Sequence, residues 1–131
     1  MSNADPDKSG VATEVDFHQL QSACDGDARV MRELVELYFK QAGEIMASLE
    51  KAITGNAVGD VNHLAHKLAG SSLACGMSAV VPSLRRLEGA AKSGHLIGAR
   101  ESMADVSEQM KVIRRRVQDY LLGYPPTRKT E

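Results

Sequence analysis

Cysteine is nearly missing. Cys24 and Cys75 are the only two among 131 residues, too few for a disulfide framework, and they read as buried reduced thiols. Glycine and proline are sparse, at eleven and four, which excludes collagen-like and low-complexity chains. There is no surplus of positive charge: sixteen Lys and Arg face seventeen Asp and Glu, a net −1. Proteins that hold phosphate backbones or anionic lipid normally carry a basic excess, so neither nucleic acid nor membrane is expected as a partner. No apolar run approaches the ~18 residues of a membrane span. The opening Met1 to Gly10 has no signal-peptide core. The chain is expected to be one small, soluble, cytoplasmic, monomeric domain.

Tryptophan is absent and aromatics number two Phe and three Tyr, so Leu, Val, Ala and Met supply the apolar content. They never alternate at period two for any length; helical spacing runs throughout. In the last long segment Ala99, Met103, Val106, Met110, Ile113, Val117 and Leu121 form one apolar stripe. From Asp27 to about Ile53 a second stripe runs through Val30, Leu34, Leu37 or Tyr38, Ile45, Leu49 and Ile53. Asp27 suits an N-cap, and Gly55-Asn56 suits a stop. Helices are further expected over 58–75, ending at Gly76, and over 78–92, with Pro82 in the first turn and Ser93-Gly94 as the stop. A short helix from Val15 to about Cys24 comes first, closed by Asp25-Gly26. Short connections make neighbours antiparallel. The fold class is all-α: an antiparallel up-down four-helix bundle over residues 15–122 with a short extra N-terminal helix. Residues 1–14, where Ser2-Asn3-Ala4 reads as a cloning remnant, and 123–131, with their Pro-Pro pair, are expected to be disordered.

One helix does more than pack. At ~100° per residue, Val61, Leu64, Ala65, Leu68, Ser72 and Cys75 share a buried side. His66, two residues from Leu68, points about 160° away from it, toward solvent. Asn62, His63, Ala69, Gly70 and Leu73 are expected around it on the outer face. A mid-helix glycine costs roughly 1 kcal/mol relative to alanine. Gly70, one turn after His66, removes bulk beside the ring and lets another surface approach. Imidazole titrates near ~6.5, which leaves a neutral nucleophilic nitrogen at cytosolic pH, and histidine forms covalent intermediates. A phosphoryl group there needs cations or hydroxyls for its oxygens. Lys67 is adjacent in sequence, roughly 100° around the helix, and Ser71 lies nearer the core edge. These residues define a reactive or ligand-accepting histidine on an accessible face.

The stretch Ala65-His66-Lys67-Leu68-Ala69-Gly70-Ser71-Ser72, followed by Gly76 and by Leu84, Leu87 and Glu88, closely resembles the histidine-containing phosphotransfer (HPt) domain family. The resemblance extends over about residues 15–122, from Phe17, Leu20 and Gly26-Asp27 through the Leu34 to Phe39 stretch to the final helix. It implies a four-helix phosphorelay carrier that accepts a phosphoryl group on His66 from the aspartyl phosphate of one receiver domain and passes it to a response regulator. Its partners would be receiver domains of response regulators or hybrid histidine kinases. No cofactor would be bound by this chain, and Mg²⁺ would belong to the receiver, whose acidic pocket closes over the imidazole for in-line transfer. No kinase activity is implied, and no phosphate-binding loop is present. One position departs from the pattern: Ala69 stands where the family commonly has Lys, so Lys67 or the partner must neutralise the phosphoryl oxygens.

Two other readings stand beside this one: a helical adaptor that binds receivers or other signalling proteins without carrying phosphate, and the phosphotransfer fragment of a larger hybrid kinase. For docking, Asn62, His63 and Leu73 form a rim, with Phe39 and Met46 of the preceding long helix adding an apolar patch. A His63–His66 metal pair is disfavoured, because the Glu-x-x-His repeats of di-iron bundles are absent. The Arg114-Arg115-Arg116 run reads as cations late in a helix, complementing its dipole.

Overall fold

The protein is described by a computed structural model over residues 14–124; the expectations for 1–13 and 125–131 lie outside the described residues. Helix α1 spans Phe17–Ala23, and the Asp16 carboxylate caps it by accepting from the Gln19 amide at 3.0 Å. Asp27 caps α2, Ala28–Thr54, by accepting from the amides of Arg29 at 2.9 Å and Val30 at 3.2 Å. That satisfies two of the donors a helix start leaves free. Helix α2 stops at Gly55, with Asn56 in the left-handed region. Helix α3 is Val58–Ala74 and a 3-10 turn follows at Ser78–Val80. Helix α4 is Val81–Lys92 with Pro82 in its first turn, and α5 is Ala99–Gly123. The long helices form the up-down bundle, and all regular structure among the described residues is helical.

The core runs down the bundle axis through Met31, Leu49, Val61, Leu68, Leu84, Leu87, Val106, Ile113 and Val117, all fully buried. Helix α1 closes one end. Its Leu20 is fully buried, Phe17 stacks on Tyr120 of α5 at 4.1 Å between ring centres, and the Asp16 amide donates to the Gly76 carbonyl at 2.7 Å. Gly76 holds φ +81°, and a Cβ on it would sit 2.3 Å from the Asp16 carbonyl oxygen. The turn after α3 is thus shaped for the close approach of the chain entering α1.

The buried face of α2 differs from the expected stripe over its first half. Val30 and Leu37 are exposed, at 42% and 62%, while Met31, Val35, Tyr38, Phe39 and Ala42 are buried. Two combs at helical spacing, offset by one residue, compete there. Packing of α2 against both α3 and α5 selects the comb with the aromatic rings. Farther along, Ile45, Leu49 and Ile53 are buried as expected.

The ends of the fold also extend past their expected limits. Glu14 accepts from the Ala79 amide at 3.2 Å. Helix α5 continues through Gly123, and the Tyr124 hydroxyl donates to the Gly26 carbonyl at 3.1 Å. The Arg32 guanidinium donates to the Leu121 carbonyl at 2.8 Å, which helps hold that last turn. The longer α5 places Arg114–Arg116 about two turns before its end, outside the reach of the helix-end dipole. No helix among the described residues is long and apolar enough to cross a membrane.

Candidate functional site

Helix α3 buries Val61, Ala65, Leu68, Ala69 and Ser72 and leaves His66 outside, its side chain 67% exposed. Beneath the exposed face, the buried Ser72 hydroxyl and the Tyr38 hydroxyl of α2 are 2.6 Å apart, tying the two helices together. Burial pushes the Tyr38 phenol well above its ordinary range, so it stays neutral. Ser71 turns back on its own helix and donates to the Leu68 carbonyl at 3.3 Å. A Cβ added at Gly70 would meet nothing within 4 Å. The bare surface one turn beyond His66 is therefore not a packing requirement of the chain itself.

The ring of His66 is held from the neighbouring helix. Its Nδ1 lies 2.8 Å from Oε2 of Glu88. Glu88 follows Leu84 and Leu87 on the inward stripe of α4, so its side chain is only 11% exposed. The other carboxylate oxygen accepts from the Arg85 guanidinium at 3.0 Å. Burial alone would raise the Glu88 pKa. The hydrogen bonds and charges of Arg85 and His66 outweigh it and leave the group below its ordinary value. An ionised carboxylate only accepts, so Nδ1 carries the hydrogen and donates it. The Nε2 lone pair is then free, and Nε2 forms no hydrogen bond among the described residues. A carboxylate–imidazole pair of this kind sets the tautomer and orientation of the ring.

Of the expected neighbours, Lys67, His63 and Gly70 are exposed, Leu73 is 47% exposed, and Asn62 and Ser71 are half-buried. Ala69 is not on the outer face: it is fully buried. Helices α3 and α4 pack more extensively than any other pair, and Ala69 belongs to the buried core. Phe39 is likewise buried and not on the surface. It is 6% exposed, set edge-on to Tyr38 and covered by the Arg114 guanidinium at 4.9 Å. Met46, two turns along the same side of α2, is half-buried against the core. Phe39 therefore adds almost no exposed surface to the patch expected with Met46 and Leu73. Glu88, quoted for the resemblance but not placed in the site, is the residue the sequence reading missed. Its signal was a carboxylate on the buried stripe of Leu84, Leu87 and Ala91, where an unpaired charge would be costly.

Both cysteines are buried and free. No group of three or more His, Cys, Asp or Glu among the described residues is arranged to hold a metal ion. A cleft of about 250 Å³ lies between the end of α2 and the start of α5, lined by residues such as Glu50, Ile53, Arg100 and Met103, and it includes no α3 residue. His66 instead stands on a convex helix face, which suits a macromolecular partner better than a small-molecule substrate.

The four-helix bundle thus presents one imidazole, tethered at Nδ1 by Glu88 and open at Nε2 among the described residues. The family model described as the Hpt domain matches residues 33–120, and the chain belongs to that family. It is accordingly a phosphotransfer module of two-component signalling. The crystal structure of histidine-containing phosphotransfer protein B from Pseudomonas aeruginosa is similar in fold, with a TM-score of 0.79 over 87% of this chain and 99% of that one, at 20% identity. No curated protein matches the chain in sequence.

Proposed function

We propose that His66 is the phosphoacceptor, taking its phosphoryl group from the aspartyl phosphate of one receiver domain and yielding it to a response regulator. The observation that carries this reading is the His66–Glu88 hydrogen bond, which puts the hydrogen on Nδ1 and leaves Nε2 as the nucleophile. The Nε2 lone pair forms the new N–P bond as the P–O bond to the donor aspartate breaks, and that electron pair leaves with the aspartate carboxylate. The ring becomes cationic at that moment, and Glu88 stabilises it through the Nδ1–H bond. Return transfer reverses these steps. Mg²⁺ belongs to the receiver, where it neutralises the transferring oxygens.

Asn62, His63, Lys67, Gly70, Ser71 and Leu73 surround the ring and are assigned to docking, with Gly70 admitting the partner's closest approach. The α3–α4 stretch, residues 58–92, carries four cations, Lys67, Arg85, Arg86 and Lys92, against two carboxylates, Asp60 and Glu88, in a chain of net −1. An acidic receiver pocket is attracted to such a surface. The encounter is transient, at or below the ~1,200 Å² of weak complexes, and the chain acts as a monomer.

Incubation with a phosphorylated receiver should move label onto this chain as an acid-labile, alkali-stable phosphoprotein, and His66→Gln should take up none. Equal labelling of the variant would refute the assignment. Complex formation without loss of label from the donor would mean a phosphate-free adaptor.

A further inference from the structure

A phosphoryl group on Nε2 brings up to two negative charges to a helix face where Gly70 has no side chain, Ala69 is buried and Ser71 already donates to a backbone carbonyl. Arg85 is a cation tied into the same site. Its guanidinium donates one N–H to Oε1 of the same carboxylate whose Oε2 holds His66, so it lies one carboxylate's width from the ring's own tether. Because α3 and α4 are antiparallel, one turn back along α4 from Glu88 corresponds to one turn forward along α3 from His66. Arg85 is therefore level with Gly70, where the surface is open. Its side chain is 43% exposed, and its other N–H groups form no hydrogen bond among the described residues. Other arginines with tertiary contacts are committed differently, Arg114 for instance to the ring of Phe39. Arg86 donates to Ser83 and Asp105, and Arg32 to the carbonyls of Ala28 and Leu121.

We propose that Arg85 is a phosphoryl-binding residue: it keeps one N–H on Glu88 and presents its remaining donors to the phosphoryl oxygens on His66. The planar fork of a guanidinium suits this two-sided role, since it bridges two anions at once. Arg85 then links the two anions that border the ring, the carboxylate at Nδ1 and the phosphoryl group at Nε2. The inference rests on His66 being the phosphoacceptor.

The full chain, phosphorylated by phosphoramidate without any partner, tests it by ³¹P NMR. An adjacent cation favours the phosphoryl dianion, so Arg85→Gln should raise the midpoint at which the ³¹P shift titrates by roughly 0.5–1 pH unit. Arg85→Lys should recover most of that shift. Arg115→Gln on α5, which lowers net charge equally, should leave the midpoint unchanged. The Arg85→Gln effect should persist in a Glu88→Gln background, which separates direct contact from an influence routed through the carboxylate. Coincident midpoints for wild type and Arg85→Gln would overturn the proposal. So would a shift produced by Lys67→Gln and not by Arg85→Gln, or an effect that vanishes in the Glu88→Gln background. Equal labelling of His66→Gln would instead refute the phosphoacceptor assignment, a separate failure.

Discussion

His66 and Glu88, twenty-two residues apart on adjacent helices, meet through a 2.8 Å bond between Nδ1 and Oε2. The imidazole is mostly in solvent while the carboxylate is mostly out of it. The ring can therefore be reached by another protein, yet it is oriented from inside the bundle. Ordering a reactive group before the partner arrives removes an entropic cost from the encounter.

Glu88→Gln isolates the charge in that bond. Glutamine can still accept from Nδ1, so the ring stays oriented, but the developing imidazolium loses its counter-charge. A hydrogen bond to a charged group contributes about 1.5–3 kcal/mol, so transfer should slow by roughly 10–100-fold. Stopped-flow transfer from a phosphorylated receiver measures this, with circular dichroism confirming that the helices persist. A rate equal to wild type would remove Glu88 from the mechanism.

The same carboxylate gives stability a pH dependence. Its pKa in the fold lies below the ordinary 4.5. It therefore stabilises the fold above its unfolded value, and that stability is lost as pH falls through the folded one. Wild type should lose more stability than Glu88→Gln as pH is lowered from about 4.5 downward. Urea unfolding at a series of pH values reads the difference.

How far the sequence anticipates this site depends on where the determining contacts lie. The outward azimuth of His66 follows from the helical step relative to Leu68, a property of α3 alone, and the structure agrees. Ala69 was misplaced because a residue 300° further round lies beside the histidine. Whether that edge is covered depends on how closely the rest of the bundle approaches. Glu88 was missed for the same reason: its role exists only once α4 lies against α3. The buried half of α2 was ambiguous because Val30-Leu34-Leu37 and Met31-Val35-Tyr38 satisfy one periodicity equally well. Helix boundaries were more legible, since Asp27, Gly55-Asn56, Gly76 and Pro82 act locally.

Gly70 offers a test of what the bare face is for. Its backbone is helical and a Cβ would meet nothing within 4 Å. Gly70→Ala should stabilise the isolated protein by about 1 kcal/mol through helix propensity, raising Tm by roughly 4 °C. Gly70→Leu should slow transfer from a receiver at least about tenfold if the partner packs closely there, since 1.4 kcal/mol of lost contact suffices. Labelling of Gly70→Leu by phosphoramidate, which needs no docking, should stay near the wild-type rate. Equal slowing with both donors would mean that the leucine disturbs His66 itself and not the docking face.

Gly76 makes the opposite case, in which glycine is required by the chain's own packing. Its φ of +81° is unfavourable for any residue with a Cβ, and that Cβ would lie 2.3 Å from the Asp16 carbonyl oxygen and 3.2 Å from the Leu20 amide. All of these nearest atoms are backbone, so no side chain can swing aside to relieve the clash. Gly76→Ala must either break the Asp16–Gly76 hydrogen bond or displace α1 and expose Leu20, which is fully buried. The left-handed backbone alone costs about 1–2 kcal/mol, and with the lost contacts the destabilisation should exceed about 2 kcal/mol. Chemical denaturation measures the loss, and hydrogen exchange should show it concentrated in Phe17–Ala23 and the turn after α3. A Gly76→Ala protein as stable as wild type would mean that α1 does not dock as described.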